Sequence, residues 1–100
     1  MEIETSIDNG VCTVALRGRF TFMDHAQFRD IMEHMHEPDI REVVCDMAGV
    51  EFIDSAGLGM LLLARDEAQK TNISLVIRNV TGQVKKIFGV AHFDTMFTIV

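Results

Sequence analysis

The sequence is short of several things, and each shortage excludes something. Its longest near-continuous apolar run, Met60 to Ala64, falls far below the roughly 20 residues a membrane-spanning helix requires, so no membrane span is expected. The first residues, Met1-Glu2-Ile3-Glu4, carry no basic start and no apolar stretch, so they do not read as a signal peptide and the expected location is the cytoplasm. Basic residues are too few to balance the acidic ones: the formal net charge is -6, and the nine Lys and Arg are scattered, which argues against a nucleic-acid partner. Cysteine occurs twice, as Cys12 and Cys45 among strand-forming residues, and both read as buried free thiols in a reducing compartment. The single proline, Pro38, leaves long stretches free to form regular structure.

What is present suffices for one folded domain spanning residues 1–100. Apolar residues make up 48% and charged residues 24%, proportions of a chain that builds a core and is not disordered. Ile3, Thr5 and Ile7 alternate with polar residues, Asn9-Gly10 marks a tight turn, and Val11 to Leu16 is rich in strand formers, so the chain should open with a β-hairpin. Thr21 followed by Asp24 resembles a capping box. Phe28, Ile31, Met32 and Met35 fall at helical spacing after it, predicting an amphipathic helix that ends before Pro38.

The run Val43-Val44-Cys45-Asp46-Met47 predicts a central strand, covered on both faces. A second helix opens at Ser55 and reaches about Lys70, Thr71-Asn72 turns the chain, and Ile73 to Ile77 forms another strand. A shorter helix follows over Thr81 to Phe88, and Met96 to Val100 is strand or helix. Alternation of helices and strands predicts an α/β fold with right-handed crossovers.

In the second helix Gly57, Leu61, Ala64 and Ala68 share one face and should pack on the sheet, leaving Ser55, Gly59, Leu62 and Asp66 toward solvent with Leu58 on the flank. Two glycines in the first turn and a half cost a helix roughly 1 kcal/mol each relative to alanine. Gly57 has a reason in close packing. Gly59, facing outward, has one only if another molecule approaches Ser55 closely, with Leu58 and Leu62 as an apolar contact patch. Ser55 is the expected N-cap. A phosphate on it would sit where the helix dipole favours negative charge, so the fold should survive its addition while a partner on the patch would meet a new dianion beside Asp54.

Val50-Glu51-Phe52-Ile53-Asp54-Ser55-Ala56-Gly57-Leu58-Gly59-Met60-Leu61-Leu62 resembles the signature of STAS domains, particularly those of anti-sigma factor antagonists, and the likeness extends over nearly the whole chain. The resemblance implies a mixed sheet opened by an N-terminal hairpin, with helices packed mainly on one face. It also implies partner switching. The unphosphorylated protein binds an anti-sigma factor that is a serine kinase, the kinase phosphorylates the serine matching Ser55, and a serine phosphatase reverses this. The chain itself would be no enzyme and hold no cofactor, the ATP belonging to the kinase. Asp24, Asp54, Ser55, Gly57, Leu58, Gly59 and Leu62 are the partner-binding candidates on this reading. Asp24 enters through a departure: the family often places an acidic residue soon after the glycine ending the second strand, whereas here Gly18 leads through Arg19-Phe20-Thr21-Phe22-Met23 to Asp24. Phe20 and Phe22 are either core plugs or part of the partner surface, with the core the expected place because apolar aromatics are usually buried. STAS domains also serve transporters, so a non-switching accessory subunit of a membrane transport system is the alternative, with Ser55 then only a cap.

Other patterns carry less. Ile53-Asp54-Ser55-Ala56-Gly57 lacks the first glycine of a nucleophile elbow, and no Asp then His pair follows it in the order a hydrolase needs. His34 and His36, two apart on a helix, point about 200° away from each other and cannot share a metal ion while helical; the helix C-terminal dipole is enough to favour them. Lys85-Lys86 reads as a solvated face. Met32, Met35 and Met47 read as core.

Overall fold

The computed structural model describes residues 1–100. Strand β1 (Glu2–Asp8) and strand β2 (Val11–Phe20) form the expected hairpin. Asn9 and Gly10 both take positive φ, 52° and 82°, the left-handed pair that a two-residue turn between twisted strands demands and that Asn-Gly supplies at little cost. A 3-10 turn over Phe22–Asp24 leads into helix α1 (His25–Glu33), which tightens into a second 3-10 turn over His34–His36. Strand β3 (Glu42–Ile53), helix α2 (Ser55–Thr71), strand β4 (Ser74–Arg78), helix α3 (Gly82–Val90), one turn of helix α4 (Phe93–Met96) and strand β5 (Thr98–Ile99) complete the chain. The ambiguous C-terminal segment thus holds the end of a helical turn and a two-residue strand.

The sheet runs in the order β1-β2-β3-β4-β5, antiparallel between β1 and β2 and parallel from there on. Strand β3 lies at its centre, as the sequence predicts. Coverage on both faces is corrected. Cys12, Val43 and Leu75 stand in one row across the sheet, as do Val14, Cys45 and Ile77, and these rows meet the helices. The alternate row, Thr13, Val44, Val76 and Thr98, points the other way because side chains of a strand alternate between faces. Val44 is buried yet belongs to no part of the core cluster. The helices therefore pack on one face, as the family resemblance implies, and Val44 owes its burial to neighbouring strands.

The core joins Phe20 and Leu16 of β2 and Met47 of β3 with Phe28 and Ile31 of α1, Leu61, Ala64 and Ala68 of α2, and Phe88 of α3. Met35 and Met47 are buried and Met32 packs against the cluster, as expected. His34 pairs with Glu37 at 2.7 Å and His36 with Glu67 at 2.8 Å, so the two imidazoles look to different carboxylates. Both cysteines are buried and free. Burial, with Cys12 as a smaller contributor, pushes the Cys45 thiol up to about 12. Because the thiolate is the reactive species, neither cysteine should react with a disulfide reagent at pH 8 until the chain is unfolded, when both should; titration of released chromophore with and without denaturant checks this.

Candidate functional site

The C-terminal ends of the parallel strands β2 and β3 meet the N-terminus of α2, and the backbone holds them together. Asp54 N donates to the Phe20 carbonyl at 3.2 Å, tying the start of the helix to the end of the neighbouring strand. Gly57 sits against the same corner. A Cβ there would lie 2.7 Å from the Phe20 carbonyl oxygen and 2.7 Å from Cγ1 of Ile53, so only glycine lets the helix approach this closely. The partner-contact role expected of Gly57 is corrected accordingly: it is buried, and its open side is filled by the chain itself.

The N-cap is Asp54, one residue before the expected position. Its backbone is extended and its Oδ1 accepts from Gly57 N at 2.7 Å. Asp and Ser are comparable caps, so two in succession leave the start of a helix open by one residue, and here the carboxylate took the place. Ser55 is then the first helical residue, exposed, with a hydroxyl that hydrogen-bonds nothing in the chain. The amides of Ser55 and Ala56 also find no acceptor, since Asp54 satisfies Gly57 N through its side chain and Leu58 N through its carbonyl at 3.0 Å. Two unused donors and the positive end of a 17-residue helix thus surround a free hydroxyl. Replacing Asp54 with alanine removes the cap and should lower stability by about 1 kcal/mol, read as a lower midpoint in urea with unchanged slope.

Along α2 the outward stripe is as expected. Gly59 has nothing within 4 Å of where a Cβ would stand, Leu62 is exposed, and Leu58 is half-buried at the boundary with α3. Leu63 is also exposed, as is Val90 at the end of α3; neither was expected, although Leu61-Leu62-Leu63 is apolar through more of a turn than one core face uses.

The loop after β2 departs further from expectation. Asp24 is corrected as a partner contact, being buried, with Oδ2 accepting from Thr21 N at 2.9 Å and Oδ1 3.2 Å from the Met1 amine. With Thr21 Oγ1 accepting from Met23 N it completes the capping box, and its work is to shape the turn. Phe20 goes into the core against Phe28, ring centroids 5.2 Å apart. Phe22 does not: the capped 3-10 turn carries it outward, 62% exposed and stacked on His25 at 4.8 Å, beside Met23 at 85%. This end of the molecule therefore presents a free serine hydroxyl with exposed apolar side chains on the loop and the helix. No histidine nitrogen bonds Ser55, and His25 Nδ1 lies instead 3.0 Å from the Phe22 carbonyl.

A family model described as "Mlab, STAS domain" matches residues 3–100. The chain belongs to the STAS domain family. A STAS-domain containing protein of Pseudomonas aeruginosa (strain UCBPP-PA14) is 37% identical to it over 94 residues, covering 94% of this chain and 92% of that one. Among solved structures, the anti-sigma factor antagonist SpoIIAA in its unphosphorylated form superposes with a TM-score of 0.76 at 15% identity, over 99% of this STAS domain and 87% of SpoIIAA. The Bacillus protein in its phosphorylated form gives the same TM-score, at 14% identity over 99% and 91%. A sulfate transporter family protein from Wolinella succinogenes gives 0.77 at 18% identity, over 90% of this chain and 73% of that one. No helix of this STAS domain is long and apolar enough to cross a membrane.

Proposed function

We propose that this STAS domain is an anti-sigma factor antagonist that works by partner switching: it binds an anti-sigma factor with serine-kinase activity while Ser55 is free and releases it once Ser55 is phosphorylated, thereby controlling transcription. A serine phosphatase restores the free form. The chain is a substrate and a binding partner, catalyses nothing and holds no cofactor. Asp54, Ser55, Leu58, Gly59 and Leu62 form its contact surface, in the cytoplasm.

The observation that carries this reading is the division of labour between Asp54 and Ser55. Asp54 caps α2, so Ser55 is not needed as a cap and its hydroxyl stands free at a helix end able to accept a phosphate. A fold neighbour that exists in unphosphorylated and phosphorylated forms supports the same reading. The alternative, a non-switching accessory subunit of a membrane transporter, draws support from the likeness to the sulfate transporter family protein. In that alternative Ser55 had only a capping role, which Asp54 fills.

Incubation with the partner kinase and ATP should add one phosphate to the wild type and none to Ser55→Ala, read by intact mass. Equal labelling of both proteins would refute the site. Co-purification with a transporter ATPase, with binding unchanged by Ser55→Asp, would favour the alternative.

A further inference from the structure

Between α2 and α3 runs a groove of about 400 Å³ lined by Leu58, Gln83, Lys86, Ile87, Val90 and Ala91. The four residues Gln83, Lys86, Ile87 and Val90 recur at i, i+3, i+4 and i+7, so one stripe of α3 faces Leu58 across it. Leu58 and Ile87 rest their inner sides on the core and keep an outer side free, while Val90 is 83% exposed. Lys86 is exposed at the edge of this apolar strip and makes neither an ion pair nor a hydrogen bond, in a chain whose net charge is -6. Lys70, Lys85 and Arg29 are likewise without an ion pair, but Lys86 alone among the charged side chains lines this groove. An apolar floor with one unmatched cation at its edge is complementary to a particular ligand: a helix with an apolar stripe and a carboxylate beside it.

We propose that this groove receives an amphipathic helix of the partner protein, its apolar side chains on Leu58, Ile87 and Val90 and an Asp or Glu on Lys86. Helix α3 has nine residues, so the occupant engages about two and a half turns. The inference rests on the reading of Ser55 given above and deepens it. Ser55 lies one helical turn before Leu58, so a phosphate there stands at the end of the groove. The partner helix that Lys86 selects is acidic, and the phosphate repels it through like charge. The repulsive element and the selecting element are then the same electrostatic feature, read with opposite signs.

The probe is a synthetic amphipathic peptide of four helical turns with leucines at i, i+3, i+4 and i+7 and one flanking glutamate, titrated into the isotope-labelled protein and followed by amide chemical shifts. A second peptide carries lysine in place of glutamate. The glutamate peptide should move the amides of Leu58, Ile87 and Val90; Lys86→Glu should weaken it about tenfold and bind the lysine peptide in its place, and Val90→Asp should remove binding of the glutamate peptide. Both positions are exposed, so melting temperatures should be unchanged, which checks that the fold is intact. Absence of shifts at the groove, indifference to the charge exchange, or a change of oligomeric state in place of peptide binding would each overturn the proposal. If the groove fails while Ser55 is still phosphorylated, the switch stands without it; if the charge exchange works and Ser55 is never modified, the groove stands without the switch.

Discussion

Gly57→Ala should lower the stability of the domain, while Gly59→Ala, two residues along the same helix, should raise it. The two glycines are chemically identical, and alanine would favour the helix by roughly 1 kcal/mol at either position. What differs is the space. At Gly57 the added methyl meets the Phe20 carbonyl oxygen and the Ile53 side chain, both at 2.7 Å. Neither yields readily: Ile53 is buried in the core, and the Phe20 carbonyl is held by the Asp54 amide. Overpacking of this kind costs about 2–3 kcal/mol, which exceeds the propensity gain and leaves a net loss of about 1–2 kcal/mol. In a 100-residue domain that lowers the melting temperature by about 4–16 °C, whereas Gly59→Ala, with nothing within 4 Å, should raise it by about 4–8 °C. Thermal melts of the two variants beside wild type check the pair. Equal shifts in both would mean that the helix does not approach the sheet as described. Gly59→Ala carries a second expectation, since a methyl beside Ser55 obstructs close approach: partner binding should weaken although the protein is more stable.

Phosphorylation of Ser55 should abolish co-migration with the partner on a sizing column and raise the melting temperature by about 1–8 °C. The modification adds about 1.5–2 negative charges. Within the domain these charges meet the positive end of α2 and the unused amides of Ser55 and Ala56, worth about 0.3–1 kcal/mol in favour of the fold. Against a docked partner they must be desolvated beside Asp54, at a surface that was apolar and acidic. A loss of about 3 kcal/mol in that setting weakens binding more than a hundredfold. The effect on the complex thus outweighs the effect on the fold by about 2–3 kcal/mol, and opposes it in sign. A phosphorylated protein that melts far below the unmodified form would contradict this balance.

The parts of the architecture that depend on local rules could be read from the residues. Asn9-Gly10 specified its turn because few other pairs tolerate two positive φ angles, and Thr21 with Asp24 specified the capping box because the spacing is diagnostic. The inner and outer faces of α2 followed from helical periodicity. Where two rules competed, the reading slipped. Asp54 and Ser55 are near-equal caps, and only the tertiary tie of Asp54 to Phe20 decided between them. The apolar run around Val44 matched a strand covered on both faces, because strand neighbours alone can bury a valine at the centre of a five-stranded sheet. Strand β2 runs on to Phe20 through Arg17-Gly18-Arg19, where irregular register against β3 hides the strand pattern. Phe22 and Asp24 exchanged the places expected of them, the aromatic ring outside and the carboxylate inside. A capping box consumes its acidic member, and the orientation of a three-residue turn has no periodicity to betray it.

The most direct test is a calorimetric titration of the kinase partner into three forms of the protein: Ser55 free, Ser55→Ala and Ser55 phosphorylated. The expected result is tight binding to the first two, equal within a few-fold, and a loss greater than about a hundredfold for the third, with all three folded alike. Equal affinity for the free and phosphorylated forms would contradict the account at its centre.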